Sequence, residues 1–166
     1  LGRLAALHRY EVSETEIDGT LDAVTEVAQL SLEVPIVAVI LADRDHPVFK
    51  SVRGINAAAP RESLFCAQTI GHRQPLVVPD IMLDHRFDLD PLVSGEPRVR
   101  SYLGVPLATP DGYNIGALCA FDTLPRRFGP SQTTIMQNLA RLVVEQFEMR
   151  QIAKSDPLTG ALTRRG

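Results

Sequence analysis

Thiol chemistry is the first chemistry that the residue types suggest. The chain of 166 residues has two cysteines, Cys66 and Cys119, far apart in the sequence. Neither belongs to a CxxC pair or to a zinc-like cluster, so no metal site is expected. One interpretation places both in the core, because free cysteine is among the most buried residue types. The alternative is a redox role, with the chain acting as a thiol-dependent reductase; a single bridge between them also stays open.

A second group of reactive types is Asp84, His85, Arg86 and Asp88. These are the side chains of acid–base catalysis, but no nucleophile with a positioned base accompanies them. We therefore interpret them as a loop whose charges pair with each other. Haem would need an axial histidine, for which His72 and His85 are the candidates. We interpret both as surface or hydrogen-bonded histidines, so haem is not expected. We expect no catalytic residue and no cofactor.

Two arginines and a tyrosine form the third group, Arg98, Arg100 and Tyr102, at or near the start of an expected strand. Arginine binds anions in bidentate fashion, which makes Arg100 the candidate anchor of an anionic ligand. The alternative is a solvated strand end.

Composition excludes several classes of protein. Hydrophobic residues make up 45% and charged residues 22%, which suits a globular domain with one sizeable core. The 17 basic and 20 acidic residues give a net charge of −3, so the cationic excess of nucleic-acid binding is missing. No apolar run approaches the ~20 residues of a membrane span. With two cysteines and no secretory signal, we expect a cytoplasmic protein without membrane contact in this fragment.

Helices are predicted at both ends of the chain. Leu4, Leu7 and His8 suggest a short first helix, and Ser13 with Glu16 has capping-box spacing before a longer one. Ser131 is expected to cap a last helix that runs to about Lys154. That helix has two apolar stripes where packing on one side needs only one. The first stripe comprises Ile135, Leu139, Leu142, Met149 and Ile152, and the second Met136, Ala140, Val143 and Phe147.

The middle of the chain is mixed. The β-branched run Ile36–Leu41 predicts a central strand covered on both faces. In the last predicted strand, Ile115, Ala117, Cys119 and Phe121 share one face by period-two alternation. The polar stretch Asp80–Pro97, called the insert below, is long for a loop and is expected to act as a lid. This order predicts an α+β domain with a mostly antiparallel sheet and helices on one face. The other expected elements are strands at Val48–Val52, Leu76–Val78 and Ser101–Leu107, a short helix at Phe65–His72, and loops at Asp43–Pro47 and Asn56–Glu62.

Short sequence motifs occur in an order that resembles a GAF domain of the bacterial sensory type, over roughly residues 4 to 150. They include Phe65-Cys66-Ala67, Leu76-Val77-Val78-Pro79-Asp80, Asp84-His85-Arg86-Phe87, Tyr102-Leu103-Gly104-Val105-Pro106-Leu107 and Ile115-Gly116-Ala117-Leu118-Cys119. The resemblance implies a small-molecule pocket between the sheet and the loops and helices over one face. The signature of the cyclic-nucleotide class is missing, and alanine follows each cysteine where the covalent bilin class has histidine. The expected ligand-binding residues are Phe49, Phe65, Cys66, Arg100, Tyr102, Cys119 and Phe121, for a ligand of unknown identity.

A second resemblance lies at the end of the chain. Asp156-Pro157-Leu158-Thr159-Gly160, followed by Arg164-Arg165, resembles the opening phrase of a GGDEF domain, the diguanylate cyclase module. It implies a GAF sensory domain at residues 1–150 and a linker with a truncated GGDEF start at 151–166. The expected function is a sensor that regulates a C-terminal cyclase in cyclic-di-GMP signalling, while the fragment itself is no enzyme.

The first stripe of the last helix predicts a parallel homodimer. Its spacing, with Gln146 as one polar member, lies near the 3.5-residue repeat of a coiled-coil seam. In the alternative, both stripes bury against the domain's own sheet and first helices. A ligand-free dimerisation module is the runner-up function, and a reductase is the third.

Overall fold

The computed structural model describes residues 14–42, 47–55 and 64–155. The predicted first helix, most of the Asp43–Pro47 turn, the whole Asn56–Glu62 loop and the GGDEF-like motif lie outside the described residues.

Within the described residues, four α-helices and five strands follow one another in the predicted order. The insert contains two single 3₁₀ turns, Ile81–Leu83 and His85–Phe87, and a short helix, Pro91–Ser94. The helices are α1 (Glu14–Leu32), α2 (Leu64–Ile70), α3 (Pro91–Ser94) and α4 (Pro130–Ser155); the strands are β1 (Ile36–Ala42), β2 (Pro47–Arg53), β3 (Leu76–Val78), β4 (Ser101–Ala108) and β5 (Asn114–Asp122).

The strands form one antiparallel sheet in the order β2-β1-β5-β4-β3. Every residue of the run Ile36–Leu41 is buried, which confirms that β1 is covered on both faces. Such burial explains its near-continuous apolar sequence, because neither face of the strand meets water.

Each face of the sheet has its own core. Val37, Val39 and Leu118 point to the face covered by α1 and α4, where they pack with Met136 and Val143. Ile36, Ala38 and Ile40 point to the opposite face, which α2 and the insert cover. The α+β class and the antiparallel sheet are therefore confirmed.

The predicted orientation of one side chain, that of Ile115, is wrong. Ile115 packs in the core below α1 and α4, whereas Ala117, Cys119 and Phe121 pack in the opposite core. The cause is a β-bulge: Leu107 pairs with Gly116 and Ala108 pairs with Asn114, so Ile115 is the extra residue of β5. A bulge reverses the alternation of side chains beyond it.

The two stripes of α4 have different environments. Met136, Val143 and Phe147 are buried in the core. Leu142 and Met149 of the other stripe are 51% and 63% exposed, and Ile135 and Leu139 are half-buried. The helix begins one residue before the predicted cap: Pro130 takes the first position, which its fixed φ favours, and Gly129 precedes it. In the described part of the chain, no helix is both long and apolar enough to cross a bilayer.

Candidate functional site

Four aromatic rings meet on the sheet face below α2. Phe65 stacks on Phe87 with 4.1 Å between ring centroids, and meets Phe121 edge-on at 5.3 Å. Tyr102 lies 4.7 Å from Phe65 and 5.0 Å from Phe121. All four side chains are fully buried, and we call them the aromatic cluster. The edge-to-face contact of Phe65 with Phe121 is a geometry that aromatic pairs prefer.

Four elements bring the rings together, one ring from each. Tyr102 and Phe121 are directly opposite each other in the β4–β5 ladder. Phe65 comes from the first turn of α2, and Phe87 from the second 3₁₀ turn of the insert. The convergence expected of Phe65, Tyr102 and Phe121 is therefore observed. Phe87 was not among the expected site residues, although it is the one aromatic residue of a very polar phrase.

A small polar network lies inside this apolar core. The hydroxyl groups of Thr69 and Tyr102 share a hydrogen bond, and the Tyr102 oxygen lies 3.1 Å from Cys119 Sγ. Thr69 in turn donates to the Phe65 carbonyl oxygen at 2.8 Å. Each buried hydroxyl has a partner, as buried polar groups require.

Gly104 makes room for this network. A Cβ atom at position 104 would collide with the Tyr102 hydroxyl and would lie 2.8 Å from Thr69 Oγ1. The Tyr102 ring can lie over its own strand only because residue 104 has no side chain.

Cys119 is poorly suited to thiolate chemistry. Its side chain is fully buried, and that burial raises the pKa of the Cys119 thiol to about 12, although the Tyr102 hydrogen bond opposes the shift. Because the thiolate is the reactive form, the protonated group is inert at neutral pH. The side chain of Cys66 lies outside the part of the chain that the structure describes.

The other two expected site residues lie outside the aromatic cluster. Phe49 is half-buried and packs against the same core from β2. Arg100 donates from Nη1 to the carbonyl oxygens of Val99 and Val93, at 2.8 and 3.4 Å. The hydrogen bond to Val93 ties Arg100 to the insert. Ligand binding by the expected residues stays a prediction.

The charged phrase of the insert is self-paired. Arg86 donates from Nε to Asp84 Oδ1 at 2.9 Å, and this hydrogen bond lowers the pKa of the Asp84 carboxyl. His85 Nδ1 lies 3.0 Å from Asp88 Oδ2. Among the residues that the structure describes, no group of His, Cys, Asp and Glu could hold a metal ion.

A fully buried aspartate holds the insert against α2. Asp90 Oδ1 accepts from the Leu92 amide at 2.8 Å, which caps α3, and Oδ2 accepts from the Leu64 amide at 2.7 Å, at the first residue of α2. The expected site residues did not include Asp90. The sequence does carry a local sign of its role: Asp90 is an N-cap residue type, and Pro91 follows it at the first helical position.

Two open grooves lie away from the aromatic cluster. One of about 460 Å³ runs between α4 and β4, with Arg73, Val105, Arg141 and Glu148 in its walls. The other, about 430 Å³, lies between the end of α2 and the β4–β5 turn and includes His72, Arg73 and Tyr113. None of the expected ligand-binding residues lines either groove.

Known proteins with similar sequences or structures agree on one fold. The chain is 32% identical over 167 residues to a cyclic di-GMP phosphodiesterase of Pseudomonas aeruginosa; the match covers 98% of this chain but 28% of that protein's length. The GAF domain of a phosphoenolpyruvate-protein phosphotransferase from Acinetobacter superposes with a TM-score of 0.70 at 16% identity, covering 92% of this chain and 89% of the other. A free methionine-R-sulfoxide reductase from Neisseria meningitidis superposes equally well, at 0.70 and 22% identity, covering 85% and 83%.

Structural likeness at such low identity shows the fold alone, and an enzyme and a phosphotransferase domain share it here. The sequence itself carries the assignment, since the family model described as GAF domain matches residues 16–146. That match spans nearly all of α1, the five described strands and most of α4, so the chain belongs to the GAF domain family.

Proposed function

We propose that this GAF domain regulates a catalytic domain of cyclic-di-GMP metabolism that follows it in the full-length protein. The observation that carries the proposal is α4, a helix of 26 residues that packs on the sheet by one stripe and extends to Ser155. A helix that is fixed in the domain and continues toward the next one transmits any change in its own position.

The catalytic partner is inferred from two similarities. The Pseudomonas aeruginosa relative is a cyclic di-GMP phosphodiesterase, and the chain spans little more than a quarter of its length. The phrase Asp156–Gly160 resembles the start of a diguanylate cyclase. Synthesis and hydrolysis of the same dinucleotide are therefore the two candidate reactions of the full-length protein, with the cyclase favoured by the phrase in this chain.

Regulation is proposed to act through a parallel homodimer. Leu142 and Met149 form an exposed apolar stripe on α4, and α1 also carries two exposed apolar residues, Val27 and Leu30, at 47% and 70% exposure. Exposed apolar patches mark interaction surfaces. A second copy of the chain would bury them and hold two catalytic domains next to each other, which cyclases need because two active sites meet around the product.

We propose that the domain lies in the cytoplasm and that the signal it senses is a small molecule. That molecule would bind beside the aromatic cluster. The packing of that cluster favours a second candidate, a dimerisation domain without a ligand. Phe65 is in edge-to-face contact with Phe121 and stacks on Phe87, so the rings occupy the space between these elements. Ligand binding at this site therefore requires α2 and the insert to move apart from the sheet.

The test uses the full-length protein and assays both reactions, cyclic-di-GMP formation from GTP with magnesium and cyclic-di-GMP hydrolysis. The double substitution Leu142→Glu with Met149→Glu should abolish cyclase activity, while Gln137→Glu, on an exposed position of the same helix, should preserve it. The 166-residue chain alone should form no product. Turnover by the isolated chain, or an active and monomeric double variant, would overturn the proposal.

A further inference from the structure

The segment between β5 and α4, residues 122–129, is called the connector here, and Arg126 is its central side chain. The Arg126 guanidinium donates from Nη1 to Asp122 Oδ2 at 3.0 Å and to the Glu33 carbonyl oxygen at 3.1 Å. From Nη2 it donates to the Leu32 carbonyl oxygen at 2.9 Å. Its Cζ atom lies 5.1 Å from the centroid of the Phe128 ring, within cation–π range.

These hydrogen bonds join the end of α1 to the connector that leads into α4. The last carbonyl groups of a helix have no partner within it, and a cation beside them is favourable. Arg126 supplies both partner and charge to the carbonyl groups of Leu32 and Glu33. Since Pro130 begins α4 only four residues later, the end of α1 is held by a side chain that lies just before α4 in the chain.

The connector is also bonded to both ends of the insert. The Arg126 amide donates to the Pro79 carbonyl oxygen at 3.0 Å, just before the insert. After the insert, the Arg100 amide donates to the Asp122 carbonyl oxygen at 2.7 Å, and the Arg100 carbonyl oxygen accepts from the Ile81 amide at 2.8 Å. Ser101 Oγ donates to the Leu124 carbonyl oxygen at 2.8 Å.

A continuous series of hydrogen bonds therefore crosses from one layer of the domain to the other, through Ile81, Arg100, Asp122, Arg126 and Glu33. We propose that Arg126 is a latch that couples the position of the insert to the ends of α1 and α4. The Asp122–Arg126 pair is the step between the layers, with side chains only 15% and 23% exposed, so solvent screens it little. The latch requires neither a ligand nor a second copy of the chain.

Amide hydrogen exchange measured by NMR on Arg126→Met tests the latch. Methionine keeps an apolar stem but cannot donate, so Asp122 Oδ2 and the carbonyl oxygens of Leu32 and Glu33 lose the Arg126 donor. Arg127→Met is the matched control, because Arg127 is the exposed neighbour. We expect the Ile81 and Arg100 amides of Arg126→Met to exchange roughly tenfold faster, while amides of β1 and β5 keep their wild-type protection.

Two results would overturn the latch: unchanged exchange at Ile81 and Arg100, or an equal acceleration at every amide, which would mean a purely global loss of stability. If Arg126→Met does not fold, Arg126→Lys takes its place. Lysine keeps the charge but not the planar set of donors, so the same selective pattern should appear with a smaller amplitude.

Discussion

The Asp90 carboxylate accepts a hydrogen bond from the Leu64 backbone N–H at 2.7 Å, so one buried anion holds the insert and the start of α2 together. Its other oxygen caps α3 through the Leu92 amide. Two segments distant in sequence thus cover the aromatic cluster as one unit.

Asp90→Ala should lower the free energy of unfolding by about 2–3 kcal/mol, because two backbone amides lose a fully buried, charged acceptor. Urea denaturation at neutral pH measures the loss. Asp88→Ala is the control: Asp88 pairs with His85 on the exposed surface, where an ion pair contributes less than about 1 kcal/mol. Equal losses in the two variants would contradict the role assigned to Asp90.

Gly104→Ala should destabilise the domain by roughly 1–3 kcal/mol, the usual cost of overpacking a core, because the new methyl group meets the Tyr102 hydroxyl. Gly19→Ala is the opposite case. Its Cβ atom meets no atom within 4 Å, and alanine in a helix is favoured over glycine by about 1 kcal/mol. Thermal unfolding should therefore move the two midpoints in opposite directions; a Gly104→Ala midpoint equal to wild type would show that Tyr102 can move aside.

Cys119 should resist alkylation in the folded protein. Its burial and a pKa of about 12 leave almost no thiolate at pH 8. Iodoacetamide labelling followed by mass spectrometry, on a Cys66→Ser background, should modify Cys119 only after urea is added. Rapid labelling without denaturant would restore the thiol-dependent alternative.

The raised pKa of the Cys119 thiol makes the stability of the domain depend on pH. An unfolded cysteine titrates near pH 8.5, so above that pH the unfolded chain loses a proton that the folded chain keeps. The free energy of unfolding should therefore fall as pH rises above about 8.5, with a limiting slope for this group of about 1.4 kcal/mol per pH unit. In Cys119→Ala, the part of this slope that Cys119 causes should disappear. If the wild type and Cys119→Ala had the same slope between pH 9 and 10, the role assigned to Cys119 would be contradicted.

Self-association of the 166-residue chain should depend on the exposed stripe of α4. Sedimentation at high micromolar concentration should show a dimer for wild type and a folded monomer for Leu142→Glu with Met149→Glu, because two charges would face their copies across the seam. Gln137→Glu adds a charge to the same helix outside the stripe and should remain dimeric. A monomeric wild type would refute this interface.

Period-two alternation was enough to predict that Cys119 and Phe121 share a face, and the hairpin turn placed Tyr102 opposite them. The alternation did not predict the orientation of Ile115. A bulge depends on the register in which two strands pair, and neither strand's own pattern reveals that register. Phe87 and Asp90 were missed for a related reason. Their partners, Phe65 and Leu64, belong to a distant helix, and no local rule gives the path of an irregular insert.

The stripes of α4 show a different limit of sequence patterns. Met136 and Leu142 belong to repeats of the same spacing, yet one is buried and the other half exposed. Periodicity predicts that a helix has an apolar face, but which face meets the sheet depends on where α1 already lies.

The order of strands in the sheet also bears on how the domain is made. β1 pairs with β5, so Ile36 lies opposite Phe121, a residue about half the length of the chain away in sequence. On the ribosome, β1 therefore emerges long before its inner partner exists, and a pairing so distant in sequence closes slowly. During that interval an uninterrupted run of aliphatic residues has an open edge, the kind of segment that draws chaperones or aggregates. Biosynthesis of this domain is thus expected to have its most vulnerable moment between the emergence of Leu41 and that of Asp122.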